Sequence, residues 1–463
     1  MLTDDKKNKV LVVGGGIAGI SAALSAAKRG AHVLLISSEG NVGGDACTGM
    51  PILGTYSSVG EKCVGGILDE LLEICKQISG GYIGPVCDFR TVYGLCINPE
   101  TMRLAILLLL KKYNVDLLLN SIVSDVEANN GTVKAVNVVC GNGEKRIIEC
   151  RNIIDATGSG NIVKMVGGKV LYGDENGNMQ PVSLIFRMAG VSFKCLLEFI
   201  KEHPEEALLA ENPVLEKDRK KAAQLLYQNG FPYVALSAGG QLLGKAITTS
   251  EMYPCTAMFM TPSLMQTGEI CINSTRIANL NALEPDIASK AVLDLAEQLK
   301  TAIRFLNQRV PGFENAVLSS VASRLGVRET GRIVGEYELK QDDVIHGEKF
   351  SSAIGQGTHH VDIHGAGVSQ VRIPVENGAA YDIPFECLLP QGVKNVIVAG
   401  RCISSDRGAN GSVRVMGSCM VTGQAAGLAS AIATEQGIED FRDIDIEHLR
   451  ENLREQGVIL NPV

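Results

Sequence analysis

The pattern of apolar positions changes period early in the chain. Val10 to Val13 is a continuous apolar run, as expected for a strand buried on both faces. "GGGIAGISAALSAAKRG" follows, with small apolar residues at helical spacing, and then a second apolar run, "HVLLI", from His32 to Ile36. Strand, helix, strand predicts a parallel βαβ unit and an α/β, doubly wound sheet. "LAILLLL", Leu104 to Leu110, is too short to span a bilayer and is followed by Lys111 and Lys112, so a buried helix is expected there. Further along, Ile153 begins another apolar strand ending in "ATGSG", and Val396 to Ala399 forms a last one. That strand leads to a helix beginning near Gly417 and running through Gly423, Ala425, Ala426 and Gly427.

Between Gly160 and Asp382 the pattern has a different character. "PVSLIFRMAGV" reads as a strand entering a new sheet. "FKCLLEFIKEHPEEALLA" and "PDIASKAVLDLAEQLKTAIRFLNQRV" read as amphipathic helices, the second capped within Asn281 to Asp286. The expected organisation is a nucleotide-binding domain built from residues 1–165 and 382–438, an inserted mixed α+β cap over residues 166–381, and a tail helix over residues 439–463.

Gly14, Gly16 and Gly19 have the G-x-G-x-x-G spacing of a Rossmann-like dinucleotide site. The first allows the tight turn, the second a close approach of backbone to a pyrophosphate, and the third close packing of helix on strand. The helix that opens at Ile17 and Ala18 offers its free N–H groups to phosphate. Ser37 stands where such a strand usually ends in the acid that holds a ribose. A serine hydroxyl can still bond a ribose hydroxyl, without charge assistance, and Glu39 is close enough in sequence to substitute. No arginine replaces Ser37, Ser38 or Glu39, which argues against a 2′-phosphate. The following segment, "GNVGGDACTGMPILG", carries Gly43, Gly44, Gly49 and Gly54 where a nicotinamide dehydrogenase would begin another helix.

Composition narrows the partners. The 463 residues include 43 basic and 51 acidic side chains, a net charge of −8, with no basic run, so neither nucleic acid nor an anionic membrane is an expected partner. "MLTDDKKNKV" contains no apolar signal region, and a cytoplasmic location is the expectation. Thirteen cysteines with no C-x-x-C or ferredoxin spacing read as reduced, mostly buried thiols. No metal is expected.

Several segments in family order resemble the FAD-dependent oxidoreductases of the glutathione-reductase-like clan that include flavin-domain relatives of the flavin-bearing part of heterodisulfide reductase. They are "VVGGGIAGISAA", "GGDACTG", "IIDATGSG", "RLGVRETGRIVGEYEL", "VDIHG", "IPFECLLP", "NVIVAGRCISSD" and "RVMGSCMVTGQAAG". The resemblance implies FAD as cofactor. It implies contacts from the glycine motif, from Ser37, Ser38 and Glu39, and from Gly43, Gly44, Ala46, Cys47 and Thr48. It extends them to Val123, to Ala156, Thr157 and Gly158, and to Gly400, Arg401, Arg414, Gly417, Ser418 and Met420. The absence of iron–sulfur cysteine spacings departs from heterodisulfide reductase itself.

Two residues are candidates for the chemistry. Arg324, Arg328 and Arg332 are spaced so that their side chains can converge, as an anion clamp or in ion pairs with Glu329, Glu336 or Glu338. Arg328 occupies the arginine position of the family motif. His364, in "GTHHVDIHG", matches the family's D-x-H position, and reads either as an acid or base beside the flavin or as a structural histidine. Cys47 is expected to be an inert buried thiol rather than a group facing the ring. The expected function is hydride transfer between a small polar metabolite, neutral or anionic, and the flavin, with a separate electron donor or acceptor. The alternatives are a flavoprotein that passes electrons to a partner protein, and a flavin-binding module without turnover.

Overall fold

A computed structural model describes residues 9–366 and 368–460. The reading of the N-terminal stretch as free of a signal region lies outside the described residues, as do the last three residues of the tail. A five-stranded parallel sheet lies at the centre, ordered Val396–Val398, Asn152–Asp155, Lys9–Val13, His32–Ile36, Asp116–Leu118. Lys9–Val13 pairs in parallel with His32–Ile36 on one side and with Asn152–Asp155 on the other. The last strand, almost 400 residues away in sequence, thus completes the same sheet as the first.

Two helices cover one face: Ile17–Lys28 after the glycine motif and Met416–Gln436 near the end of the chain. They touch backbone to backbone. A Cβ on Gly423 would lie 2.2 Å from the Ala18 carbonyl oxygen, and one on Gly427 would lie 2.1 Å from that of Ala22. This explains why the two helices are so rich in glycine and alanine, and why Met416–Gln436 is buried from Gly417 to Thr434. The apolar run at Leu104 is helical, Pro99–Lys112, but it is not a buried helix. Ala105, Ile106, Leu109 and Leu110 face the core, whereas Leu104, Leu107 and Leu108 are exposed. Length and hydropathy alone did not reveal that one face is open. Among the described residues no single helix is long and apolar enough to cross a membrane.

A second, antiparallel sheet has the order Val234–Ser237, Ala257–Leu264, Glu269–Asn273, Phe186–Ala189, Val317–Val321. The helices Phe193–Glu202 and Pro285–Arg309 flank it, and their apolar faces form a separate hydrophobic cluster with it. The first of these helices is shorter than its apolar pattern suggested, because it stops before Pro204, which cannot continue it. The second cluster draws on residues 182–316, a narrower span than the expected cap. Ile333, Leu339, Ile354, Val361 and Tyr381 pack instead into the cluster around the parallel sheet. The return segment therefore joins the nucleotide domain some fifty residues before 382, since its strands pair with segments already anchored there.

Gly427→Ala should cost about 1–3 kcal/mol, because the added methyl meets backbone that has nowhere to move. Urea unfolding midpoints of the variant and the parent check this, and an unchanged midpoint would show that the two helices are not in backbone contact.

Candidate functional site

The first strand ends in a turn that only glycine accommodates. Gly14 has φ +120°, and a Cβ there would lie 2.2 Å from the Ala156 carbonyl oxygen. The glycine turn is thereby pressed against the "ATG" segment that ends the neighbouring strand. Gly19 closes the turn from the other side, since its Cβ would sit 1.9 Å from the Gly14 carbonyl oxygen. Gly16 differs: it is the N-cap of the helix, has φ −73°, makes no side-chain cap, and a Cβ on it would meet nothing within 4 Å. It faces open space.

That space is a cleft of about 270 Å³. Among the expected cofactor residues, Gly14, Gly16, Ile17, Ala18, Ser37, Ser38, Glu39, Val123, Ala156, Thr157, Gly158, Gly400, Arg401 and Arg414 line it. Segments from both ends of the chain therefore meet around one cavity. Gly19, Gly417, Ser418 and Met420 do not line it; a Cβ on Gly417 would lie 2.5 Å from the Gly54 carbonyl oxygen, while the neighbours Met416 and Cys419 form the wall itself. Gly43 and Ala46 also do not line it; Gly43 donates its N–H to the Gly15 carbonyl at 2.8 Å and so buttresses the turn. Gly44, Cys47 and Thr48 border a shallow pocket on the other side of that segment. Burial pushes the Cys47 thiol up to about 11, so it is the inert thiol expected.

Ser37 is buried, and its hydroxyl accepts the Glu39 N–H at 3.2 Å. The Glu39 carboxylate reaches the rim, 3.5 Å from Arg324. Asp155, at the end of its strand, accepts from the N–H groups of Thr157, Ile162 and Val163 and from the Thr157 hydroxyl at 2.6 Å. It ties the "ATG" turn to the helix after it. The signal was an acid ending an otherwise apolar strand.

The three arginines expected to converge do not. Their segment is extended and irregular, with short strands at Gly326–Val327 and Gly331–Ile333, so successive side chains diverge. Arg324 faces the cofactor cleft. Arg332 is buried in an ion pair with Glu329 at 2.7 Å. Arg328 alone enters a second cavity, of about 190 Å³, between the antiparallel sheet and the nucleotide domain. It donates to the Pro181 carbonyl at 2.8 Å and to Ser183 Oγ at 2.6 Å, with no carboxylate among its hydrogen-bond partners. Burial and the neighbouring guanidiniums of Arg414 and Arg276 push it down to about 9, which leaves it protonated at neutral pH.

His364 lines the same cavity, in the strand Val361–His364. Its Nε2 is 2.9 Å from Asp362 Oδ2. Asp362 sits two residues earlier, and strand alternation places both side chains on one face. Sequence reading missed Asp362, although that spacing pointed to it. His364 and the arginines around Asp362 hold its carboxyl well below the usual range, against its burial. An ionised carboxylate can only accept, so Nε2 of His364 carries the hydrogen and Nδ1 keeps the lone pair. Burial pushes His364 down to about 4, and it pushes His359 and His360 down as well. All three are neutral at pH 7. Among the described residues no group of three or more potential metal ligands forms a cluster.

Asp45, Arg414 and Met416 line both cavities, so the two spaces share a wall where the helix Met416–Gln436 begins. A cleft at a dinucleotide-type glycine turn beside a cavity beneath a second sheet is a layout suited to an enzyme that holds a dinucleotide cofactor next to its substrate. A model of the FAD dependent oxidoreductase family matches residues 9–453. The chain belongs to that family, and its cofactor is FAD. The open space at Gly16 and the guanidiniums of Arg324 and Arg401 in the cleft fit the diphosphate of that cofactor.

A search of curated proteins gave no match. Among solved structures, a geranylgeranyl bacteriochlorophyll reductase-like protein of Thermoplasma acidophilum is 14% identical, with 97% of this chain and 84% of that one covered and a TM-score of 0.44. The p-nitrophenol 4-monooxygenase of Pseudomonas putida is 11% identical over 97% and 84% of the two chains, with a TM-score of 0.48. A myxobacterial chondrochloren halogenase is 12% identical over 97% and 79%, with a TM-score of 0.44. None of their reactions carries over to this chain at that similarity.

Two outcomes are expected. Gly16→Ala should leave the unfolding midpoint unchanged, since its φ suits any residue, yet weaken FAD binding about tenfold or more by displacing the phosphate from backbone donors. Equal affinity by fluorescence titration would show that Gly16 does not face the cofactor. The buried histidines stay neutral in the folded chain while the unfolded chain takes up protons below about pH 6.5. Their contribution is thus complete above that pH and is lost as pH falls; for His364, pushed down to about 4, the loss between those values is about 1.4 kcal/mol per pH unit. Urea unfolding between pH 7 and 4.5 measures the slope, and a flat profile would mean that the three rings are solvated.

Proposed function

We propose that the chain is an FAD-dependent dehydrogenase that oxidises a small anionic metabolite held in the second cavity. The observation that carries this reading is Arg328, a cation lining the cavity without a carboxylate among its hydrogen-bond partners, close enough to Arg414 for the two charges to oppose each other. A protonated guanidinium in that setting requires an anion, and a substrate carboxylate suits its fork.

FAD, when bound, would supply the hydride acceptor. Gly14, Gly16 and the first N–H groups of the helix Ile17–Lys28 would hold its diphosphate, with Arg324 and Arg401. Glu39 and Ser37 would take the ribose. Asp45, Arg414 and Met416 would border the ring, where the positive end of the helix Met416–Gln436 favours negative charge. The proposed relation to the glutathione-reductase-like clan accords with this division of the chain.

The proton chemistry has a direction. With Nε2–H committed to Asp362, His364 leaves Nδ1 free to accept a proton; burial keeps the ring unprotonated at neutral pH, ready for that role although a weaker base than free imidazole. It would accept the proton of the O–H or N–H borne by the carbon that gives up hydride, leaving a C=O or C=N bond in the product, and the resulting imidazolium would be held by the Asp362 carboxylate. Arg328 keeps the substrate anion fixed meanwhile. The electrons leave to a separate acceptor.

An anaerobic screen of carboxylate metabolites against the FAD-loaded protein should find one that bleaches the flavin absorbance. His364→Gln should then slow bleaching about 10²- to 10⁴-fold, and Arg328→Ala should raise the half-saturating concentration. Bleaching only by a redox protein would instead favour an electron-transfer role, and an unchanged rate in His364→Gln would remove the histidine from the mechanism.

A further inference from the structure

The second cavity has another polar region, which the proposed reaction does not use. Two side chains there are almost fully buried, and each keeps a polar atom without a partner. Arg90 is 4% exposed and its Nη2 bonds nothing, while His360 is 7% exposed and its Nδ1 bonds nothing. Both line the cavity that contains Arg328 and His364. His360 also faces an adjoining pocket, together with Arg372 and Gln370. Arg414 in the same wall leaves its Nε without a partner as well, and since buried polar atoms of a folded protein are almost always satisfied, such orphans in one cavity wall point to a ligand.

The local charges say what kind. Arg90 donates through Nε to Glu211 Oε2 at 2.8 Å, and Arg372 donates through Nη1 to the same oxygen at 2.6 Å. One carboxylate oxygen thus serves two guanidiniums. Both guanidiniums also lie over the Phe259 ring, 5.2 and 5.9 Å from its centre, which fixes their planes. Asp88, the acid nearest in sequence, is already committed to the backbone N–H groups of Arg90, Thr91 and Val92 through one oxygen. Arg90 Nη2 can only donate, and a neutral His360 can take the tautomer with its hydrogen on Nδ1. Arg372 also pairs through Nε with Asp362 at 3.7 Å, whereas Arg90 has only the shared Glu211 oxygen, and two unpartnered donors on a guanidinium and an imidazole suit an oxyanion.

We infer that the substrate carries two anionic groups, one held by Arg328 and the second held by Arg90 and His360 beside Arg372. The second group is a carboxylate or a phosphate, since both present the required acceptors. Met50, Pro51, Leu53, Leu208 and Tyr233 supply apolar and aromatic lining in the same cavity, which suits a hydrocarbon spacer between the anions. The inference rests on the proposed function in one respect: it takes this cavity to be the substrate site.

Calorimetric titration of the FAD-loaded protein tests it. The probes are linear α,ω-dicarboxylates, the matching monocarboxylates and monoamides, and phosphorylated carboxylates of similar length. The best dianion should bind about tenfold to a hundredfold more tightly than its matched monoanion, the gain expected of charged hydrogen bonds. Arg372→Gln and His360→Gln should each collapse that ratio towards one, whereas Arg328→Gln should weaken every probe. A preference for dicarboxylates assigns carboxylate to the second subsite, and a preference for phosphorylated carboxylates assigns phosphate. Monoanions and dianions binding equally, or a ratio that survives both substitutions, would overturn the second subsite and leave Arg328 as the anion site. Failure of every anion to bind would overturn the anionic substrate reading together with this inference.

Discussion

The structure depends on backbone meeting backbone where glycine leaves out a side chain. Gly14 lies against the Ala156 carbonyl, Gly19 against the Gly14 carbonyl, and Gly423 against the Ala18 carbonyl. These contacts bring the glycine turn, the "ATG" turn and the helix Met416–Gln436 together, although they come from residues about 14, 156 and 423. Larger residues at any of them would separate the walls of the cofactor cleft. Gly16 has the opposite role, leaving room for the ligand rather than for the protein.

From that junction the two cavities follow. The helix Met416–Gln436 packs along the first helix and begins at the wall between them, so cofactor packing and substrate geometry share one element. Asp362 is the electrostatic centre of the second cavity. It bonds His364, lies near Arg372 and Arg414, and fixes which nitrogen of His364 carries hydrogen. Arg328 feels Asp362 only at a distance and has no carboxylate among its hydrogen-bond partners, which is why it is the group that calls for an anion.

Much of the cofactor cleft was legible in the sequence because its physics is local. A turn with φ near +120° needs glycine, whereas the "ATG" strand end could be any strand and turn on its own and was placed by its order in the chain and its family resemblance. The replacement of the usual ribose acid by Ser37 was visible too, and the structure shows its hydroxyl turned to the Glu39 N–H. The second cavity was less legible. Arg324, Arg328 and Arg332 are close in sequence but serve the cleft, the second cavity and a buried ion pair, because the chain between them bends instead of continuing one strand or helix. Arg90, His360 and Arg372 belong to segments far apart in sequence, and only tertiary packing brings them together. The exposed side of the helix Pro99–Lys112 escaped for a related reason: hydropathy counts apolar residues without saying which of them find partners.

The central claim is that a ligand anion in the second cavity lies against the wall that borders the flavin. The most direct measurement is the flavin difference spectrum of the FAD-loaded protein during titration with a carboxylate, beside calorimetry of the same mixture. A saturable shift of the flavin bands at one carboxylate per flavin is the expected result, absent from FAD released by heat. A carboxylate that binds by calorimetry yet leaves the flavin bands unmoved would contradict it.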